Sequence, residues 1–190
     1  HLESIRDGRI VYLGKERIDD VTTHPAFKNA AQTIASLYDF KAAPENREKM
    51  SYEADGGRHS LWFLQPRSRD DLERRRRAHK QIADLTYGML GRSMDHVSSF
   101  VTGMAMMPEV FEAGGAGYGD NMVNYYRHMR DNDLYAAYAV IPPQAARNPE
   151  FYEQQSLPIP TLRVVREDDD GVVLDGMKML ATGGIFSNDL

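Results

Sequence analysis

Residues 161–182 read TLRVVREDDDGVVLDGMKMLAT, and this stretch decides the fold class. Residues 161–166 (TLRVVR) and 172–174 (VVL) carry the β-branched and apolar side chains that suit a pleated surface. Between them, residues 168–171 (DDDG) are a strong turn signal. Gly176 opens another strand-like run over 177–182. Upstream, the apolar run 134–141 ends at Pro142-Pro143. Strands joined by so short a turn pair antiparallel.

Everything before this region is patterned for helices. Thr22-Thr23-His24-Pro25 is a helix start, followed by Phe27, Ala30, Ala31, Ile34, Leu37 and Tyr38 at the spacing of one buried stripe. Ser68 caps a long helix with Asp70 and Asp71 in its first turn; Leu72, His79, Ile82 and Thr86 recur along it to about Tyr87. Gly88 and Gly91 break the pattern. An apolar helix over 96–107 stops at Pro108, and Gly114, Gly115, Gly117 and Gly119 make a flexible loop. Asp120 then caps a helix with Met122, Tyr125, Tyr126 and Met129 inward. Two hairpins interrupt the helices: one from 9–13 and the stretch after Gly14-Lys15, the other from 50–54 and 59–64 around Asp55-Gly56-Gly57-Arg58. Helices first and antiparallel strands after define an α+β class. The reading is a helical domain over 1–132 and the start of a β-domain over 133–190. Two or three strands cannot bury both faces of a sheet, so the chain is expected to be part of a longer protein.

Composition narrows the function classes. Hydrophobic residues make up 42% of the 190, enough for a packed core. The formal charge of -5 argues against nucleic acid as the main partner and suits a cytoplasmic protein. There is no cysteine, hence no disulfide, thiolate metal site or cysteine nucleophile. No apolar run approaches the roughly 18–20 residues of a membrane span. The six histidines show no metal-binding helix spacing, so no metal is expected. The run Glu73-Arg74-Arg75-Arg76-Arg77 spreads around a helix rather than forming one stripe. It reads as a solvated or subunit-facing surface paired with carboxylates.

Two constellations could carry chemistry. Arg92 and His96 sit at i and i+4 around a helix start, so both side chains can reach one spot. A guanidinium favours a phenolate, and an imidazole can take or relay its proton near neutral pH. On spacing alone, an Arg held by Asp95 or by a helix C-terminus accounts for the pair more simply. Gln144 and Arg147 follow the double proline, where a stiffened loop could hold a phosphate or a flavin edge.

Together these segments resemble the oxygenase components of the 4-hydroxyphenylacetate 3-monooxygenase family. Gly91-Arg92-Ser93-Met94-Asp95-His96 is similar to its G-R-(S/T)-P-D-(H/Y) motif. Asp131-Asn132-Asp133-Leu134 running to Pro143-Gln144-Ala145-Ala146-Arg147 resembles its second block. Leu162-Arg163-Val164-Val165, Asp170-Gly171-Val172-Val173, Gly176, Lys178 and Ala181-Thr182 resemble its third. Leu2-Glu3-Ser4, Asp7-Gly8-Arg9 and residues 21–25 match its opening.

The resemblance implies an acyl-CoA dehydrogenase-like architecture, with a C-terminal helical bundle lying outside this chain, and a homotetramer. It implies ortho-hydroxylation of a phenol such as 4-hydroxyphenylacetate with O2 and reduced FAD supplied by a separate flavin reductase. The 190 residues alone are then expected to be inactive. Arg92 and His96 would meet the substrate hydroxyl. Gln144, Ala145, Ala146 and Arg147 would contact FAD, as would the flavin-facing Thr182. Met94 replaces the motif's proline, which loosens the helix start. Tyr138 stands near where many members have a phenol-binding His; it can donate a hydrogen bond but accepts a proton poorly near pH 7. Alternatives are an acyl-CoA dehydrogenase proper, a helical interaction module without catalysis, and a 4-hydroxybutyryl-CoA dehydratase. The dehydratase needs cysteines to ligate an iron–sulfur cluster, and this chain has none.

Overall fold

The computed structural model describes residues 1–90, 93–168 and 171–190. The chain forms two compact units, His1–Ala137 with Gly183–Leu190, and Tyr138–Thr182. The division therefore falls at Ala137/Tyr138 rather than at 132/133, and the last residues return to the first unit.

In the first unit, β1 (Val11–Leu13) and β2 (Glu16–Ile18) form the opening hairpin. Helix α1 (Lys28–Ala42) buries Ala31, Ile34 and Leu37; Ala30, expected in that stripe, is exposed. It ends where Ala43, ahead of Pro44, is forced out of helical geometry to ψ 133°. A short helix α2 (Arg47–Met50) leads into β3 (Ser51–Ala54), which pairs with β4 (Gly57–Ser60). Asp55 and Gly56 both have positive φ, 51° and 76°, the two-residue turn whose twist matches the strands. Because that turn is so short, the second strand starts and ends earlier than expected. Leu61–Phe63 instead winds into a 3-10 turn at the centre of the core, with Trp62 1% and Phe63 0% exposed.

Helix α3 (Arg69–Leu85) starts at a reciprocal cap: Ser68 Oγ accepts from Asp71 N, and Asp71 Oδ2 accepts from Ser68 N. Its buried residues are Arg75, Ala78 and Ile82, with His79 half-buried; Leu72, expected inside, is 57% exposed. Beyond α3, α4 (Asp95–Ala105) packs on α6 (Tyr118–Asp131), with α5 (Pro108–Glu112) between them in sequence. The cap of α6 is not Asp120. Gly117 turns the chain at φ 84°, and the Glu112 carboxylate accepts from Gly117 N and Gly119 N at 2.8 and 2.9 Å. Inward on α6 are Tyr126 and Met129, as expected, while Tyr125 is 39% exposed.

The apolar run 134–141 does not form a strand. Tyr135, Ala136 and Ala137 are buried in the first unit and are tied to the returning segment. Ala137 N donates to Asp189 O at 2.9 Å, and Asn188 N donates to Tyr135 O at 2.7 Å. Gly183, at φ 74°, makes this approach possible, since a Cβ there would lie 1.9 Å from the Tyr135 hydroxyl.

The second unit holds the 3-10 turn Gln144–Arg147, α7 (Pro149–Gln154), and the antiparallel pair β5 (Arg163–Asp168) and β6 (Gly171–Asp175). Every described residue of β5 and β6 is exposed, Val164, Val165 and Leu174 by more than half, so neither face of this hairpin is covered. The strand expected over 177–182 reduces to one antiparallel bridge, Ile141↔Met179. Leu180, at φ 61°, turns the chain out of extended geometry.

Candidate functional site

Polar contacts tie the start of α4 to α3 and to the buried 3-10 turn. Arg75, on α3, donates from Nη1 to Trp62 O at 2.9 Å and Leu64 O at 2.5 Å, and from Nη2 to Ser99 Oγ at 2.7 Å. It thereby joins α3, the buried 3-10 turn and α4. At Arg75 this corrects the reading of the arginine run as a solvated or subunit-facing surface paired with carboxylates. Arg76 and Arg77 do pair with Glu73, but Arg75 is only 8% exposed.

One helical turn on, His79 Nδ1 lies 3.6 Å from Asp95 Oδ2, and Ser93 Oγ donates to Asp95 Oδ1. Burial pushes the His79 pKa below the ordinary histidine value. The Asp95 carboxylate opposes that shift, and the Arg75 charge adds to it. Tyr135 also feels Asp95; its pKa is raised by burial first and by that carboxylate second. Arg75, Asp95 and Tyr135 were not among the expected site residues. The legible hint was that Arg75 and His79 are four apart on the face that carries Ile82.

His96 follows Asp95 in the first turn of α4. Its half-buried ring packs on Phe100, centroids 4.7 Å apart at 60°. An imidazole is a group able to take or relay the proton of a hydroxyl ligand. Arg92 lies outside the described residues. Met94, where the motif has proline, is 0% exposed, so its side chain anchors the helix start in the core.

The other expected residues belong to the second unit. Tyr138 is half-buried. Gln144, Ala145, Ala146 and Arg147 share one 3-10 turn behind Pro143, with Gln144 and Arg147 exposed; Thr182 is exposed at the far end of the unit. An amide, a guanidinium and a hydroxyl, all open to ligand, suit the acceptor-rich edges and phosphates of a flavin dinucleotide.

A helical unit with small antiparallel hairpins is also the fold of solved flavin-binding oxygenases. The structure matches the oxygenase component (HpaB) of 4-hydroxyphenylacetate 3-monooxygenase complexed with FAD and 4-hydroxyphenylacetate, with TM-score 0.83 and 35% identity. The match covers 94% of this chain and 37% of that one. The chain belongs to the family described as 4-hydroxyphenylacetate 3-hydroxylase N terminal, which matches residues 1–190.

Among curated relatives, the 4-hydroxyphenylacetate 3-monooxygenase oxygenase component of Thermus thermophilus is 38% identical over 179 residues. The oxygenase component of 4-nitrophenol 2-monooxygenase from Rhodococcus sp is 36% identical over 191 residues. These alignments cover 93% and 99% of this chain, which spans 36% of the length of each relative. An archaeal 4-hydroxybutyryl-CoA dehydratase from N. maritimus has the same fold, TM-score 0.73, over 92% of this chain and 35% of its own. At 20% identity that likeness concerns the fold alone.

Proposed function

We propose that this chain is the N-terminal part of the oxygenase component of a two-component flavin-dependent monooxygenase that hydroxylates a phenol ortho to its hydroxyl. The observation that supports this best is the constellation at α4, where the family's motif leads into His96 and is braced by Asp95, His79 and Arg75. In this reading Arg92 favours the phenolate form of the substrate. His96 accepts or relays the phenolic proton, and Tyr138 donates a hydrogen bond.

Gln144 through Arg147 and Thr182 hold FAD. When bound in reduced form, FAD supplies the electrons and the site for oxygen activation. Water exclusion is the other task of such a site. A flavin reductase, a homotetrameric assembly, an acyl-CoA dehydrogenase-like whole and a cytoplasmic location belong to the same proposal, as does inactivity of the 190 residues alone. The exposed faces of β5 and β6 support that last point. The dehydratase alternative is disfavoured because some of its cluster-ligating cysteines would fall within these 190 residues, which contain none.

The test is single-turnover kinetics of the full-length protein containing this chain, with reduced FAD, O2 and 4-hydroxyphenylacetate. His96→Ala should slow catechol formation by about 10²–10⁴-fold while oxygen is still consumed and released as hydrogen peroxide. Wild-type coupling of oxygen to catechol in that variant would refute the assignment.

A further inference from the structure

The first turn of α4 has no local cap. Helix α3 begins at the reciprocal Ser68–Asp71 cap, whereas Met94, the residue ahead of α4, makes no side-chain hydrogen bond to the helix start. Met94 also stands where the motif has proline, whose ring would fix the backbone angle there. The turn that carries His96 is held instead by the buried Met94 side chain and by two side chains of α3.

Arg75 holds its main chain. Nη2 donates to Ser99 Oγ at 2.7 Å, and that hydroxyl donates to Asp95 O at 2.7 Å. His79 faces its side chain. Asp95 Oδ1 accepts from Ser93 Oγ, and Oδ2 lies 3.6 Å from His79 Nδ1. That separation exceeds a hydrogen bond, so the contact is one of the Nδ1–H dipole with the carboxylate charge. The carboxylate keeps the ring proton on Nδ1, because a lone pair there would be repelled.

The opposite edge of the ring is idle. His79 Nε2 is buried and has no hydrogen-bond partner among the described residues. The charged groups acting on His79 are Arg75 from its own helix and Asp95 from α4, and only the latter attracts the Nδ1–H group. An apolar residue would fill the same space without stranding a nitrogen, so the cost of burying this ring is offset at Asp95.

We propose that His79 is a positioning residue for the hydroxylation: through Asp95 it fixes the first turn of α4, and thereby the place of the His96 imidazole. The inference rests on the assignment of His96 to the phenolic proton.

The test uses the full-length protein with reduced FAD, O2 and 4-hydroxyphenylacetate, and reads catechol formed against oxygen consumed. His79→Leu removes the donor and should slow catechol formation about 10–100-fold, the effect of a small misplacement, while oxygen is still consumed. His79→Asn puts an amide N–H where Nδ1 stands and should restore most of the coupling. Adding His79→Leu to Asp95→Ala should lower coupling no further, because the two residues act as one unit. His79→Met, with the same readings, replaces the leucine variant if that one does not fold. Parental coupling in His79→Leu, equal uncoupling by leucine and asparagine, or losses that multiply in the double variant would each overturn the proposal. His96→Ala separates the two failures. If it uncouples while His79→Leu does not, the positioning role alone falls; if it keeps parental coupling, the phenol assignment falls and this inference with it.

Discussion

His79 Nδ1 stands 3.6 Å from Asp95 Oδ2, linking the middle of α3 to the first turn of α4. The imidazole is buried enough that its folded pKa lies below the ordinary value of 6.5. Between the two values the unfolded chain binds more protons, so stability rises with pH through that window. It is fully present above about pH 6.5 and falls as the pH drops toward the folded value. His79→Gln should flatten this dependence, as measured by urea unfolding at several pH values between about 5 and 7. An unchanged slope would assign the titration to another group.

Lys41 and Asp133 form a second pair, with Nζ 2.6 Å from Oδ2 and the lysine under the faces of Trp62 and Tyr38. Asp133→Asn keeps a residue tolerant of φ 48° but strands a buried ammonium. We expect it to cost about 3–5 kcal/mol. Lys41→Met, which keeps the stem packed and leaves an Asp133 already 38% exposed, should cost less than about 2 kcal/mol. Equal losses in denaturant titrations would show that packing, and not the stranded charge, sets the cost.

Arg147 is exposed on its 3-10 turn. If it bonds the flavin, Arg147→Ala in the full-length protein should weaken reduced-FAD binding by about 1.5–3 kcal/mol, the worth of a charged hydrogen bond. Binding of the phenol should be nearly unchanged. A flavin titration indistinguishable from wild type would leave Arg147 a structural role.

Arg92 and His96 are assigned to the same phenolic hydroxyl. Their alanine variants should therefore both lower the ratio of catechol to oxygen consumed, and the double variant should lose less than the product of the single losses. Losses that multiply cleanly would mean that the two residues act on separate steps.

The sequence was most informative where the interactions are short-range. The Ser68–Asp71 cap, the β3–β4 turn, the β5–β6 pair and the order of helices before strands all follow from neighbours a few residues apart. The family motif was legible for the same reason, as a contiguous string from Gly91 to His96. Non-local packing decided the rest. Helical spacing puts Arg75 on the face of His79 and Ile82, but its partners, the carbonyls of Trp62 and Leu64 and the Ser99 hydroxyl, come from other segments. Residues 134–141 have a strand's composition, but 135–137 pair with 188–189 instead, because Gly183 lets the returning chain approach Tyr135. His79 and Asp95 are sixteen positions apart, and only the packing of α3 on the start of α4 makes them partners.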